Sequence, residues 1–145
     1  MNVVYIATSI DGFIADKNES IEYLSMVPNP DNSDFGWAKF MSSVDALVMG
    51  RTTFETVLGF GPDWPYSKHV YVLSTTLCSV PDRVQGKAEI VNGPIDEVLS
   101  LIHKNGHTRL YIDGGTTIQS FLAEDSIDEM IITTIPVVLG GGSPL

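Results

Sequence analysis

Three short segments of this 145-residue chain carry the residue types that hold phosphate: Gly50-Arg51-Thr52-Thr53, Ser74-Thr75-Thr76 and Gly114-Gly115-Thr116-Thr117. The third is the most telling. It follows the β-rich run Leu110 to Ile112, and Thr116 opens an amphipathic stretch with Ile118, Phe121 and Leu122 on one helical face. A strand, a glycine pair and a helix start bring bare backbone N–H groups up to an anion. Glycine suits that place because a Cβ would hold the ligand away. All three segments close an apolar run, and in an open parallel sheet ligands gather beyond the carboxyl ends of the strands. Glycines, hydroxyls and one arginine there predict a phosphate-bearing ligand. Arg51 is one of only eight basic residues, so its place at a strand end carries weight. The plainer alternative is three ordinary helix starts and a surface arginine.

Those segments need strands and helices to place them. Val3 to Ala7 is a short β-branched run ahead of turn chemistry at Asp11-Gly12, which reads as a strand. Residues 15 to 33 are polar, hold Asn29-Pro30 and Asp31-Asn32, and read as a long loop of the kind usually kept for function. Asp34 reads as the opening of a helix with Phe35, Trp37, Ala38 and Met41 inward. Ala46 to Met49, Val70 to Leu73 and Glu89 to Val91 are further short strands. Thr52 or Thr53 is expected to cap a helix that buries Phe54, Val57 and Leu58. Ile95 to His103 forms another, with Val98, Leu99 and Ile102 on one face and Asn105-Gly106 closing it. Met130 to Leu139 is a long strand broken by Pro136. Short apolar strands alternating with helices predict an α/β fold with a largely parallel central sheet.

Composition narrows the function. The length suits one domain with its own core. A formal net charge of −10 argues against a nucleic-acid partner, which needs a basic face. The single Cys78 leaves no internal disulfide or multi-cysteine zinc site and suits a reducing, cytoplasmic setting. No apolar run approaches the roughly 18 residues of a membrane span, and the run from Asn2 to Ser9 has no basic leader. His103 and His107 are spaced like helical metal ligands, but Asn105-Gly106 ends the helix between them, so no metal site is expected. Trp64 and Tyr66 either cover a ligand or, beside Pro62 and Pro65, pin a loop.

Four stretches in order, Thr8-Ser9-Ile10-Asp11-Gly12-Phe13-Ile14-Ala15, Val48-Met49-Gly50-Arg51-Thr52-Thr53-Phe54-Glu55, Val72-Leu73-Ser74-Thr75 and Ile112-Asp113-Gly114-Gly115, resemble the dihydrofolate reductase-like superfamily. The chain is most similar to stand-alone relatives of the C-terminal reductase domain of RibD, the bifunctional riboflavin-biosynthesis enzyme. That resemblance covers nearly the whole chain. It implies a three-layer α/β/α fold, a homodimer, and NADPH-dependent reduction of a pyrimidine- or pterin-like substrate. By resemblance, Gly50, Arg51, Thr52 and Thr53 contact the cofactor's phosphates. Leu73, Ser74 and Thr75 line its adenosine end, where Arg51 and hydroxyls receive a 2′-phosphate. Gly114, Gly115, Thr116, Thr117 and Ile118 hold the pyrophosphate and pass beneath the nicotinamide. The backbone of Ala7 and Ile14 fixes the carboxamide, and Tyr5, Trp37, Ala38 and Ile112 face the substrate.

The family's acid lies on the first helix, in a pattern that Asp34-Phe35-Gly36-Trp37 matches. A carboxylate there accepts paired N–H donors from an aminopyrimidine edge or passes a proton through water. Burial would raise its pKa, and Thr133 matches a hydroxyl that orients it. The alternative is that Asp34 merely caps its helix. Asp11 is the rival acid, with a turn residue bonding its own backbone as its alternative. Two features depart from the pattern. Asp113 sits where an acid is unfavourable beside a pyrophosphate unless it turns away. The chain also ends at Gly140-Gly141-Gly142-Ser143-Pro144-Leu145, where relatives run on to further strands, so an open sheet edge is expected. A true dihydrofolate reductase and a non-catalytic nucleotide-binding relative remain as alternatives.

Overall fold

The computed structural model describes all 145 residues. Eight strands and four helices follow in the order β1 (Asn2–Ser9), β2 (Phe13–Ala15), α1 (Trp37–Ser43), β3 (Ala46–Gly50), α2 (Arg51–Leu58), β4 (His69–Leu73), β5 (Ala88–Val91), α3 (Ile95–Lys104), β6 (Leu110–Asp113), α4 (Gly115–Ala123), β7 (Glu129–Ile135) and β8 (Ser143–Pro144). Six strands form one sheet in the order β5-β4-β3-β6-β1-β7, with every neighbouring pair parallel. Such a sheet must be covered on both faces, and its central strands β1, β3 and β6 are accordingly mostly apolar. Val3 and Val4, Leu47 and Val48, and Val70 and Tyr71 are all fully buried, one of each pair to either side.

Two cores result. One holds Phe40 and Met41 of α1 and Phe54 of α2 against Val3, Leu47, Met49, Val70 and Tyr111. The other holds Val98 and Ile102 of α3 and Ile118 and Phe121 of α4 against Val4, Val48, Tyr71, Leu110 and Ile112. The fold is thus the expected three-layer α/β/α arrangement. Chain order reverses around β3, β6 and β1, and the carboxyl ends of these strands are where a cleft belongs.

Several local expectations are corrected. Residues 15–33 are not all loop: β2 ends at Ala15, and Glu22–Met26 makes a 3₁₀ turn. The first helix starts later than Asp34, because Phe35 (φ +54°) and Gly36 (φ +86°) lie in the left-handed region. That delay leaves Phe35 and Ala38 exposed and Trp37 only partly covered, against Tyr5 and Tyr111, while Phe40 and Met41 face the core. Neither Thr52 nor Thr53 caps α2, and Thr116 does not open α4; Gly50 and Gly114 precede these helices without a side-chain cap. Leu122 is exposed. The last long strand stops at Ile135, and the chain returns so that β8 pairs antiparallel with β2. Strand β7 pairs only with β1, leaving its outer edge open with Ile131 and Ile132 exposed, as expected. No helix is long and apolar enough to cross a membrane.

Candidate functional site

Because β3 and β6 are neighbours, the turns after them lie side by side. A Cβ on Gly50 would come 2.8 Å from Thr117 Oγ1, and one on Gly114 would collide with Thr53 Oγ1. Gly114 also has φ +94°, which disfavours any side chain. These glycines are therefore set by the interlocking of two strand-to-helix turns, and not first by a ligand. The interlock brings the N-termini of α2 and α4 together, neither closed by a side-chain cap. Two aligned helix starts make a site for negative charge.

Arg51 spans from this junction to the next strand end. Its Nε donates to Glu55 Oε1 at 2.9 Å and its Nη1 to Thr76 Oγ1 at 2.8 Å. Beside it is a cavity of about 320 Å³ lined by Arg51, Leu73, Ser74, Thr75, Thr76, Asn92 and Gly93. Leu73, Ser74 and Thr75 thus share one cavity with Arg51. The Ser74 hydroxyl is committed to the turn, however, accepting the N–H groups of Thr76 and Leu77 at 3.2 and 3.1 Å. Thr76 belongs to the hydroxyl segment singled out in the sequence, whereas Asn92 and Gly93 were not anticipated. The Asn92-Gly93 pair after β5 is the same strand-end punctuation that marked the other three segments.

Thr52 and Thr116 are exposed at the helix starts, whereas Thr53 and Thr117 are turned into the interlock. Ile118 is placed differently from the expectation: it is wholly buried in the α3/α4 core, and its N–H bonds Gly114 O at 2.9 Å. Gly115 abuts the β1–β2 fork, since a Cβ there would lie 2.7 Å from Ile14 Cδ1. At that fork the carbonyl oxygens of Ala7 and Ile14 lie 3.1 and 3.0 Å from one hydroxyl, that of Tyr23.

Below the junction, on the α1/α2 face, lies an aromatic wall. Trp37 stands 5.9 Å from Tyr5 and 5.8 Å from Tyr111, ring centre to ring centre, and Phe40 stacks on Tyr5 at 4.4 Å. Tyr5 and Trp37 are thus in contact with each other. Ile112 is not with them. It points into the opposite core, because successive residues of a strand face opposite ways. Its neighbours Tyr111 and Asp113 lie on the aromatic side of the sheet instead. Ala38 is exposed and contributes its N–H to Asp34.

Asp113 ends β6 between the phenols of Tyr66 and Tyr111 and accepts the N–H of Gly114 at 2.9 Å. It has turned into the protein, away from the helix starts. Burial pushes its carboxyl up to about 6, with the bonds from Gly114 and Tyr111 offsetting part of that rise. Burial likewise raises both phenols, and the charge of Asp113 adds to it. Nearby, Trp64 packs edge-on against Tyr66, and its indole Nε1 is buried without a partner.

The two acids singled out by sequence behave otherwise. Asp34 is exposed, and its carboxylate accepts Gly36 N–H at 2.9 Å and Ala38 N–H at 3.0 Å. Those bonds, Ala38 first, hold it below the usual carboxylate range, opposite to the rise expected from burial. It is a cap. Thr133 lies on exposed β7 and makes no hydrogen bond to Asp34; it lines, with Tyr5, Lys39, Arg109 and Ile131, a second cavity of about 280 Å³. Asp11 takes a bond from Ser9 Oγ at 2.6 Å and the N–H groups of Leu139 and Gly140 at 3.1 and 2.8 Å. The Ser9 bond above all lowers it to about 2. Asp11 therefore ties residues 139–140 to the first turn.

The RibD C-terminal domain model matches residues 3–145, and the chain belongs to that family. A crystal structure of a putative riboflavin biosynthesis protein from Shewanella sp. PV-4 superposes with a TM-score of 0.95 at 52% identity, covering 99% of this chain and 81% of that one. The diaminohydroxyphosphoribosylaminopyrimidine deaminase/5-amino-6-(5-phosphoribosylamino)uracil reductase of Thermotoga maritima matches with a TM-score of 0.72 at 14% identity, over 99% of this chain and 47% of that one. Dihydrofolate reductase from Enterococcus faecalis, complexed with NADP(H), matches with a TM-score of 0.63 at 19% identity, over 99% and 76%. The last two likenesses show the fold, which RibD and dihydrofolate reductase domains share.

Proposed function

We propose that this RibD C-terminal domain protein is an NADPH-dependent reductase acting on a C=N or C=O bond of a pyrimidine- or pterin-like substrate, of the kind 5-amino-6-(5-phosphoribosylamino)uracil exemplifies. One observation carries the reading. The paired starts of α2 and α4, the Arg51 cavity and the aromatic wall with Asp113 all adjoin the carboxyl ends of β3 and β6. These residues fit a phosphorylated dinucleotide. Arg51, Thr75 and Thr76 would take the 2′-phosphate, the N–H groups from Arg51 to Thr53 and from Gly115 to Thr117 the pyrophosphate, and Ala7 and Ile14 the carboxamide. Bound there, the cofactor supplies a hydride.

The chain supplies the rest. Tyr5, Trp37 and Tyr111 would stack a planar heterocycle and exclude water from it. Reduction leaves negative charge on the heteroatom next to the attacked carbon, so a proton source is needed. Asp113, raised to about 6, is the one carboxyl of the site whose surroundings bring its titration toward neutrality. Asp34 and Asp11 are held ionised and suit orienting or structural roles. A homodimer through the open β7 edge and a cytoplasmic setting belong to the same proposal.

The test is to mix the protein with NADPH and a panel of aminopyrimidines and pterins, reading both cofactor fluorescence and its loss. Turnover on the ribosylaminouracil supports the reading, and turnover confined to dihydrofolate favours a dihydrofolate reductase. The lowered pKa of Asp34, the acid at the family position, and of its rival Asp11 favours a second reading, a non-catalytic nucleotide binder. Binding without oxidation on any substrate would select it.

A further inference from the structure

Tyr23 sits in the 3₁₀ turn Glu22–Met26 and is only 4% exposed. Its hydroxyl lies 3.1 Å from Ala7 O, 3.0 Å from Ile14 O and 3.4 Å from Phe13 O. A phenol has one proton to give. Three carbonyl oxygens thus converge on a single donor whose one proton they share, Ala7 and Ile14 at the shorter distances. The convergence is built, not incidental. Ser9 Oγ accepts Phe13 N–H at 3.0 Å and Ser9 O accepts Gly12 N–H at 3.1 Å, which folds β2 back beside the end of β1. Burial raises the Tyr23 phenol, so the hydroxyl keeps its proton.

The fork is therefore rich in acceptors and short of donors, and it faces Gly115 across the Ile14 side chain. A group bringing two protons to neighbouring carbonyls balances it, and a primary amide does so with one NH₂. We propose that Tyr23 is a positioning residue for an amide-bearing ligand: its hydroxyl holds the Ala7 and Ile14 carbonyls together so that both accept from one carboxamide. This rests on the nicotinamide reading above and adds to it a residue on the 15–33 loop that touches no part of the cofactor. The hydroxyl and the amide do not compete, because each carbonyl oxygen has two lone pairs.

The experiment compares three ligands on the intact chain by titration calorimetry: NADP⁺, its 3-acetylpyridine analogue, which has the carbonyl but no NH₂, and 2′,5′-ADP, which has neither. Wild type is expected to prefer NADP⁺ to the analogue by about three- to tenfold, the range of one net hydrogen bond. Tyr23→Phe, checked for folding by its thermal transition, is expected to lose most of that preference while binding 2′,5′-ADP unchanged. Three results overturn the inference: no preference in wild type, a preference that survives Tyr23→Phe, or equal weakening of all three ligands, which is what a purely structural tyrosine would give. The wild-type comparison needs no variant, so a misfolded Tyr23→Phe does not remove the test. If wild type binds 2′,5′-ADP and neither dinucleotide more tightly, or none of the three, the cofactor reading fails and the inference falls with it.

Discussion

Replacing Asp113 by Asn should make the protein more stable and less active, a combination that a merely structural carboxylate cannot give. Asn keeps the size and the acceptor for Gly114 N–H, and removes only the ionisable proton. The folded carboxyl titrates near 6, against 3.8 for a free aspartate, because burial penalises its charge. Folding therefore takes up a proton between those two values. The group's favourable contribution is full below pH 3.8 and is lost as pH rises through 6. A shift of about 2 units at about 1.36 kcal/mol each gives roughly 3 kcal/mol by pH 8, an upper bound because the residue keeps some exposure. Urea unfolding should show Asp113→Asn gaining about 1–3 kcal/mol over wild type at pH 8 and almost nothing at pH 4. Single-turnover NADPH oxidation should slow by about 10²–10⁴-fold, the range for losing a general acid. Wild-type turnover should itself decline as pH rises above about 6. A variant less stable than wild type at pH 8, or one that keeps its turnover, refutes the assignment.

Arg51→Ala should cut the preference for NADPH over NADH by roughly ten- to a hundredfold, the worth of a charge-assisted contact; equal cofactor affinities in wild type would already contradict it. Asp11→Asn should lower the melting temperature at pH 7 with little change in hydride transfer. Its folded pKa of about 2 lies below 3.8, so its contribution is full above 3.8 and disappears as pH falls through 2, where variant and wild type should converge. Asp34→Asn should leave NADPH affinity unchanged, since its oxygens reach only Gly36 and Ala38; weakened cofactor binding would show that it faces the dinucleotide. Sedimentation at micromolar concentration should give a dimer, and a clean monomer would remove the β7 interface.

The residues that repeat a local physical signal were legible in the sequence. Gly50 and Gly114 at strand ends, Arg51 beside them and the Ser74–Thr76 segment all came out of strand punctuation, and the structure sets the β3 and β6 turns side by side with Arg51 and Ser74–Thr76 lining one cavity. What was not legible depends on which way a side chain turns. Ile112 and Asp113 are adjacent in sequence, yet one fills the α3/α4 core and the other lies buried beside the phenols of Tyr66 and Tyr111 on the opposite face. Strand register alone decides that, and a run as apolar as Leu-Tyr-Ile does not announce its register. Asp34 likewise reads as an acid or a cap from sequence. The left-handed Phe35-Gly36 pair settles its geometry by swinging the Gly36 and Ala38 amides onto the carboxylate. Asp11 meets residues 139–140 from the far end of the chain, a contact no short-range pattern contains.

The glycine pair also shows how one requirement stands in for another. Sequence suggested that Gly114 lets a ligand approach, whereas the structure has it making room for Thr53, as Gly50 makes room for Thr117. The two accounts join at the helix starts. Only because the turns interpenetrate do α2 and α4 begin close enough for their exposed amides to address one anion. That matters in a chain of net charge −10 with eight basic residues. Attraction for a phosphorylated ligand cannot come from a broad positive face. It must come from fixed backbone dipoles acting over one helical turn, with Arg51 as the one full charge lining the adjoining cavity. Glu55 already neutralises part of that charge, so under the proposed reading the amides would carry the greater share of the anion's binding and the arginine its selectivity.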